Sequence, residues 1–209
     1  MVNLLIATRN AHKVEEIRAI LGQGFGCLAL DAFPGAPEVV EDAETFGGNA
    51  TKKSVALAKW LAETQAGPLY VLADDSGLEV DALGGAPGVH SARFAALDSG
   101  KAGNSASADN NAKRLRLLGN LPLDRRTARF RCVLALTPVP PGQTELFEGV
   151  CEGRIESALR GQRGFGYDPL FVPAGYEATF GELSEEVKNG ISHRAKALLE
   201  LRRRLRSAQ

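Results

Sequence analysis

The sequence contains little cysteine and has no net charge. It has only three cysteines, and its 25 Lys and Arg residues balance its 25 Asp and Glu residues. Cys27, Cys132 and Cys151 are odd in number and far apart, with no CxxC pair, which excludes a disulfide framework and a cysteine-ligated zinc site. We therefore expect three reduced thiols in the core.

Long hydrophobic runs are missing as well. No stretch approaches the roughly 20 consecutive apolar residues that a helix needs to cross a bilayer. The opening residues, MVNLLIATRNAHK, contain neither a basic leader nor a small-residue cleavage site. Zero net charge removes any global attraction to nucleic acid or to an anionic membrane, so an anion-binding site has to be local. The expectation is a soluble, cytoplasmic protein with neither nucleic acid nor membrane as a partner.

What the sequence does contain is an ordinary globular composition, with 44% hydrophobic residues in 209 positions. Early in the chain, short apolar runs typical of strands alternate with segments whose apolar residues have helical spacing. Later, two long predicted strands flank the turn PVPPGQ. This order predicts an α/β fold with a mixed sheet and flanking helices, as a single domain over residues 1–209 whose two lobes surround a central active-site cleft. Strands are expected at 3–8, 25–30, 69–73, 127–137 and 145–157, and helices at 14–21, 45–65 (ended by Gly67-Pro68), 108–118 and from Ser192 onward.

Residues 8–13, TRNAHK, lie where the first strand gives way to the first helix. The unpaired amides of a first helical turn carry partial positive charge and favour phosphate. The side chain of Lys13 leans toward the same helix end and can reach the same anion. The segment lacks the Walker glycines, so the alternative is that Asn10 simply caps the helix and Lys13 is solvated.

The segment ADDSG at 73–77 directly follows an apolar strand. Open α/β sheets place their ligands at the carboxyl ends of strands, and one or two carboxylates together with substrate phosphate suit Mg²⁺. If the strand continued, alternation would send Asp74 and Asp75 to opposite sides, so that one faces the site and the other braces it. The alternative is an Asx-type turn, which Asp, Ser and Gly also favour.

The segment EDAETF at 41–46 precedes a helix that carries Lys53. Lys53 falls four residues before Leu57, on the apolar stripe of that helix. It either snorkels to solvent or turns inward to meet a carboxylate or a phosphate. Glu41 and Glu44 are candidate metal ligands or merely favourable charges near the helix N-terminus.

The segment GFGYD at 164–168 is the fourth candidate, with Lys188, His193 and Arg194 downstream. Glycines around an aromatic residue let the backbone approach a flat ligand closely, and Phe165 or Tyr167 could stack on a base. Arg194 and His193 offer donors to a carbonyl or a phosphate. Taken alone, a Gly-rich aromatic turn is more often structural.

Taken together, these segments resemble one family. TRNAHK, EDAETF with Asn49 and Lys53, ADDSG, GAPGVHSARF, GFGYDPLF and KNGISHR stand in the order and spacing of the inosine triphosphate pyrophosphatases, over nearly the whole chain. The resemblance implies hydrolysis of ITP, dITP or XTP at the α-β phosphoanhydride bond, with a nucleoside monophosphate and pyrophosphate as products. It also implies a Mg²⁺ requirement and a homodimer.

The resemblance also implies roles for particular residues. Asp75 is the expected catalytic base and metal ligand, Glu41 is the second metal ligand, and Lys53 matches the lysine of the family and is a further catalytic candidate. In the mechanism that follows, either Asp75 or Asp74 activates the water, and this choice stays open. Substrate contacts are expected at Thr8, Asn10, Lys13, Ser76, Phe165, Gly166, Tyr167, Asp168, Lys188, His193 and Arg194.

The chain departs from the family at one place, because Gly48 stands where the family usually has glutamate before Asn49. That glutamate would close a capping box with Thr45, so either the helix begins later or a water replaces it. Two other functions stay open at this point. A pyrophosphatase for modified pyrimidine triphosphates would keep the phosphate chemistry, and a non-catalytic nucleotide-binding module would need the cations but not the acidic residues.

Overall fold

The computed structural model of the chain describes residues 2–64, 70–98, 100 and 103–206. Six strands form one sheet in the order β2-β1-β3-β4-β5-β6. Strand β1 pairs in parallel with β2 and β3, whereas β5 and β6 are antiparallel, which confirms the predicted mixed sheet with flanking helices. The strands are Val2–Ile6, Phe25–Ala29, Tyr70–Val80, Thr127–Pro138, Glu145–Ile155 and Phe171–Pro173 (β1 to β6), and the helices are Ala11–Leu21, Phe46–Thr64, Ser107–Leu118, Glu185–Ile191 and His193–Arg206 (α1 to α5).

The chain divides into two compact units. The first unit comprises Met1–Asp75, Cys132–Gly149 and Arg194–Gln209, and the second comprises Ser76–Arg131 and Val150–His193. The expectation that two lobes of a single domain surround an active-site cleft stays a prediction.

The first unit has a hydrophobic core on each face of its strands. On one face, Leu4 and Leu72 pack in the same cluster as residues of α1 and α5. On the other face, Leu5 and Val71 pack with residues of α2. Because strand side chains alternate between faces, the residues that follow on β3 are divided in the same way. Residue 74 belongs to the face of α1 and α5, and residue 75 belongs to the face of α2.

The second unit is built around an aromatic cluster. Phe130 lies edge-on to Phe171, with 4.7 Å between ring centroids, and it stacks on Phe180 at 6.1 Å. Leu78 and Val80 from the far half of β3 are fully buried in the same cluster. This continued burial keeps β3 extended as far as Val80.

Two sequence predictions about the elements are wrong. The third strand does not end at residue 73, because the apolar residues on either side of ADDSG form one continuous strand and both aspartates stay within it. The structure also contains two elements that were not predicted, β6 with only three residues and α4 with seven. Periodicity cannot identify elements that short. The expected stop at Gly67-Pro68 lies outside the described residues.

In the described ranges, no helix is long and apolar enough to span a bilayer. All three cysteines carry free thiols, and Cys132 and Cys151 are buried.

Candidate active site

The start of helix α1 is formed by the segment TRNAHK. Asn10 caps the helix by accepting a hydrogen bond from the Lys13 amide at 3.3 Å, and the Thr8 hydroxyl accepts one from the Asn10 amide at 3.2 Å. Lys13 is not solvated, because its ammonium group forms an ion pair with Asp74 on β3. Burial opposes the charge on Lys13, but the attraction of Asp74 leaves its pKa raised. Capping of the helix by Asn10 therefore occurs together with a half-buried, paired Lys13.

Asp74 is a fully paired carboxylate. Its Oδ2 accepts hydrogen bonds from Nε of Arg194 at 2.8 Å and from the thiol of Cys132 at 3.3 Å. Burial alone would raise the pKa of Asp74, but the charges of Arg194 and Lys13 outweigh it and hold the pKa well below its usual range. A carboxylate with so low a pKa is a weak proton acceptor at neutral pH. Asp74 is therefore better suited to holding the two cations than to serving as a base.

Asp75 lies on the opposite face of β3, against α2. Its Oδ2 accepts a hydrogen bond from Nδ2 of Asn49 at 3.0 Å, and its Oδ1 is 3.8 Å from Nζ of Lys53. Burial raises the pKa of Asp75 to about 6, even though Lys53 opposes the shift. A carboxyl group whose pKa is near neutrality is matched to proton transfer. Of the two aspartates, Asp75 has the properties of a general base.

Lys53 points inward and connects both aspartates with Glu41. Its Nζ donates to the backbone carbonyl of Asp74 at 2.8 Å and is 3.1 Å from Oε2 of Glu41. The carboxylates of Glu41 and Asp75 thus converge on one ammonium group. Asn49 ties these segments together, because its Oδ1 accepts a hydrogen bond from the amide of Ala43 at 2.9 Å.

This donor set fits a magnesium ion. Mg²⁺ is usually held by one or two carboxylates, and water and substrate phosphate oxygens complete its octahedral coordination. Within the described ranges no group of three or more His, Cys, Asp or Glu residues could hold a metal. Glu41 and Asp75, which both approach the ammonium group of Lys53, supply two such carboxylates.

Gly48, which departs from the pattern that the resemblance implies, lies in a crowded position. A Cβ there would come within 2.8 Å of the Cβ of Ala43 and 3.0 Å of Oγ1 of Thr45. A glutamate would require the preceding loop to move. Helix α2 nevertheless begins at Phe46, and Thr45 caps it by accepting a hydrogen bond from the Gly48 amide at 3.1 Å.

The segment GFGYD forms a tight loop in the second unit. Oδ2 of Asp168 accepts hydrogen bonds from the Phe165 amide at 2.7 Å and from Nζ of Lys188 at 2.5 Å. The same ammonium group lies 4.9 Å from the centroid of the Phe165 ring. Gly164 is needed here, because its φ is +72° and a Cβ would meet the carboxylate of Asp168 at 2.0 Å.

Tyr167 and Gly166 are held from outside this loop. The hydroxyl of Tyr167 donates to the carbonyl of Ser91 at 2.7 Å, and Nδ2 of Asn111 donates to the carbonyl of Gly166 at 2.9 Å. Tyr167 is buried, while Phe165 and Gly166 are half-buried. The aromatic side chain nearer to solvent is therefore Phe165.

The remaining predicted residues have different surroundings. His193 is buried and stacks on Phe130, with 4.7 Å between centroids and 10° between planes. Ser76 is half-buried on β3. Arg194 pairs with Asp74 and Glu16, so its predicted contact with the base stays a prediction.

Thus the structure brings Lys13, Asp74 and Arg194 together on one face of the first unit, and Glu41, Lys53 and Asp75 on the other. In the second unit it brings Phe165, Asp168 and Lys188 together. Sequence reasoning did not assign a role to Asn49 or Asn111. A signal for Asn49 was present, since it lies four residues before Lys53 on the buried stripe of the same helix.

Comparison with known proteins identifies close relatives. The model of the Ham1 family matches residues 4–204. A dITP/XTP pyrophosphatase of Desulforamulus reducens is 50% identical over 198 residues, which cover 94% of this chain and 92% of the relative.

Two solved structures are also similar. The Ham1 protein of Staphylococcus aureus is 35% identical, with a TM-score of 0.83 and coverage of 99% of this chain and 100% of that one. A Mycobacterium abscessus structure, described as a nucleoside-triphosphatase / dITP/XTP pyrophosphatase, is 39% identical, with a TM-score of 0.71 and coverage of 96% and 98%. The resemblance inferred from the motifs is confirmed. Since the family model and these relatives span nearly the whole sequence, the chain belongs to the Ham1 family.

Proposed function

We propose that the chain hydrolyses non-standard purine nucleoside triphosphates, namely ITP, dITP and XTP, to the nucleoside monophosphate and pyrophosphate, and so removes them from the nucleotide pool. The relatives at 46–50% identity that are named dITP/XTP pyrophosphatase support this activity. The observation that carries the proposal is the convergence of the Glu41 and Asp75 carboxylates on Lys53. A site that only binds nucleotides needs cations for the phosphates, but it has no need for a partly desolvated carboxylate.

The polyphosphate is bound by positive charge in the first unit. The amides at the start of α1 and the ammonium group of Lys13 favour phosphate oxygens, and Lys53 supplies a second cation. Asp75 and Glu41 would hold Mg²⁺, which would neutralise charge that develops on the phosphate oxygens. Asp75 accepts a proton from the attacking water, the oxygen of that water bonds to the α-phosphorus, and the α-β phosphoanhydride bond breaks with pyrophosphate as the leaving group. Asp74 keeps Lys13 and Arg194 in place.

For base recognition, the resemblance implies the segment GFGYD, Lys188, His193 and Arg194. A 6-oxo purine presents a carbonyl oxygen where adenine presents an amino group, so donors facing that position favour the former and reject the latter. Lysine, arginine, protonated histidine and backbone amides are all donors. The amide of Phe165 is not free for this role while it donates to Asp168.

The substrate preference tests the proposed function most directly. Purified protein is incubated with ITP, XTP, dUTP and ATP, with and without Mg²⁺, and pyrophosphate release is measured. We expect rapid release from ITP and XTP, little from ATP, and almost none without the metal. Preference for dUTP would favour a pyrimidine enzyme, and tight ITP binding without pyrophosphate release would favour a binding module. Full activity in the presence of a chelator would refute the magnesium requirement.

A homodimer and a cytoplasmic location belong to the proposal as well, and both are carried over from the resemblance. Light scattering during size-exclusion chromatography measures the first, since one chain has a mass of 22.2 kDa. Cell fractionation measures the second.

A further inference from the structure

Helix α3 in the second unit buries polar side chains where a helix normally buries apolar ones. Asn110, Asn111, Lys113 and Arg114 are all buried, and Arg114 is 0% exposed. Burial lowers the pKa of Arg114 to about 10, so the guanidinium is still protonated at neutral pH. Arg114 is thus a cation that has been removed from water.

The guanidinium of Arg114 is poorly hydrogen-bonded. In the part of the chain that the structure describes, none of its three nitrogens makes a hydrogen bond of good geometry, and the attraction of Tyr167 only partly offsets the effect of burial on its pKa. Instead its Cζ lies over aromatic rings, 3.7 Å from the centroid of Tyr167 and 5.7 Å from that of Phe94. Arginine prefers such stacking when it is desolvated, but stacking does not replace five unmade hydrogen bonds.

A buried arginine with so few hydrogen bonds is not expected at a position that serves only the stability of the fold. Replacing a buried charge with an apolar side chain of similar volume is often neutral or stabilising. Arg114 therefore calls for a reason other than the stability of the fold, and the ring that it contacts supplies one. Tyr167 belongs to the segment GFGYD, and Asn111, one turn before Arg114, donates to the carbonyl of Gly166 in that segment.

We propose that Arg114 is a positioning residue for base recognition, which fixes the ring of Tyr167 and thereby the conformation of residues 164–168. Asn111 assists from the same helix by holding the Gly166 carbonyl. The inference rests on the proposed function for the identity of the base, but its structural half concerns only the loop. Arg114 acts through Tyr167 and does not itself contact substrate.

The test compares Arg114→Met with Arg116→Met. Arg116 lies on the same helix, but its side chain is exposed and pairs with Asp98 at the surface. For Arg114→Met we expect an unchanged or higher thermal midpoint, KM for ITP raised about tenfold with kcat within twofold, and a lower preference for ITP over ATP. Hydrogen exchange of the peptide that contains residues 164–168 is faster. Arg116→Met behaves like the wild type in all four measurements.

Wild-type KM, base preference and exchange rate in a folded Arg114→Met protein would overturn the inference. If that variant does not fold, Arg114→Lys decides, because it keeps the charge but loses the flat guanidinium. An intermediate rise in KM, about threefold, supports the inference, and wild-type values overturn it. Failure of the proposed function can be distinguished from failure of the inference about Arg114, because in the first case the wild-type protein is inactive on every purine triphosphate. The exchange measurement still reports in that case whether Arg114 holds the loop.

Discussion

Asp75 in the first unit and Asp168 in the second are both buried aspartates beside a buried lysine, yet they are arranged differently. Asp168 accepts a hydrogen bond from the ammonium group of Lys188 at 2.5 Å and another from a backbone amide at 2.7 Å. Asp75 is 3.8 Å from Lys53, which is shared with Glu41, and burial raises its pKa. The charge of Asp168 is matched to local partners that shape a loop. The negative charge of Asp75 is only partly compensated by its neighbours. Such incomplete compensation leaves a carboxylate able to take up a proton or a metal ion.

This contrast predicts that variants in the first unit change the rate of the chemical step, whereas variants in the second change binding and stability. Three substitutions test it, from the largest expected effect to the smallest, and a pair of glycine substitutions tests the stability of the first unit alone.

Asp75→Asn preserves the shape of the side chain but removes the negative charge and the proton acceptor. We expect kcat for pyrophosphate release from ITP to fall by at least about two orders of magnitude. The free energy of unfolding should stay the same or rise, because burial disfavours the ionised carboxyl and the amide is neutral. Steady-state kinetics and urea unfolding measure the two effects, with the exposed Asp124→Asn as control. A kcat close to the wild-type value would show that Asp75 takes no part in the chemical step.

Lys53→Met removes the ammonium group on which Glu41 and Asp75 converge. We expect kcat/KM for ITP to fall about a hundredfold, as when one charge-stabilising donor is lost from a preorganised site. Lys59→Met is the matched control, since it lies on the same helix but is exposed. Equal kinetics for the two variants would mean that the convergence on Lys53 has no part in catalysis.

Asp168→Asn leaves Lys188, which is 4% exposed, without an opposing charge. We expect a loss of about 3 kcal/mol in the free energy of unfolding and a rise of about tenfold in KM for ITP, with kcat nearly unchanged. The surface variant Glu177→Gln breaks only an exposed ion pair with Arg154 and should change stability by less than about 0.5 kcal/mol. If Asp168→Asn lowered kcat more than it raised KM, the contrast between the two aspartates would be wrong.

The smallest effect concerns the glycines at the start of α2. A Cβ on Gly47 makes ordinary contacts with Leu146 and Val133, at 3.5 Å and 3.8 Å, so Gly47→Ala should stabilise the fold by up to about 1 kcal/mol. Gly48→Ala should lose that gain and destabilise the fold, because its Cβ would come within 2.8 Å of Ala43. Thermal unfolding of the pair measures the difference. Stabilisation by both substitutions would show that the loop before the helix yields readily.

Much of the first unit could be predicted from the sequence. Val14, Ile17 and Leu21 recur at helical spacing and are buried, and helix α2 begins and ends within one residue of its expected bounds. These features follow from local periodicity, which the chain carries in its residue order. The position of Lys53 on the apolar stripe left two directions open, and only the packing of α2 against β3 turned it inward.

The second unit was harder to predict. Elements as short as β6 and α4 have no periodic signal, and no local pattern distinguishes Arg114 from the other cations of α3, Lys113 and Arg116. Its burial depends on Tyr167, which lies 53 positions further along the chain. A contact over such a separation leaves no local pattern.

By itself, the sequence determined the order of most strands and helices, the absence of a disulfide framework, and the motifs that mark the family, because each can be recognised from the identity and order of residues along the chain. Only the tertiary structure decided which aspartate is fully paired and which is left partly uncompensated. That difference depends on β3 continuing through both residues, which directs Asp74 to the cations of α1 and α5 and Asp75 to the helix that carries Asn49 and Lys53.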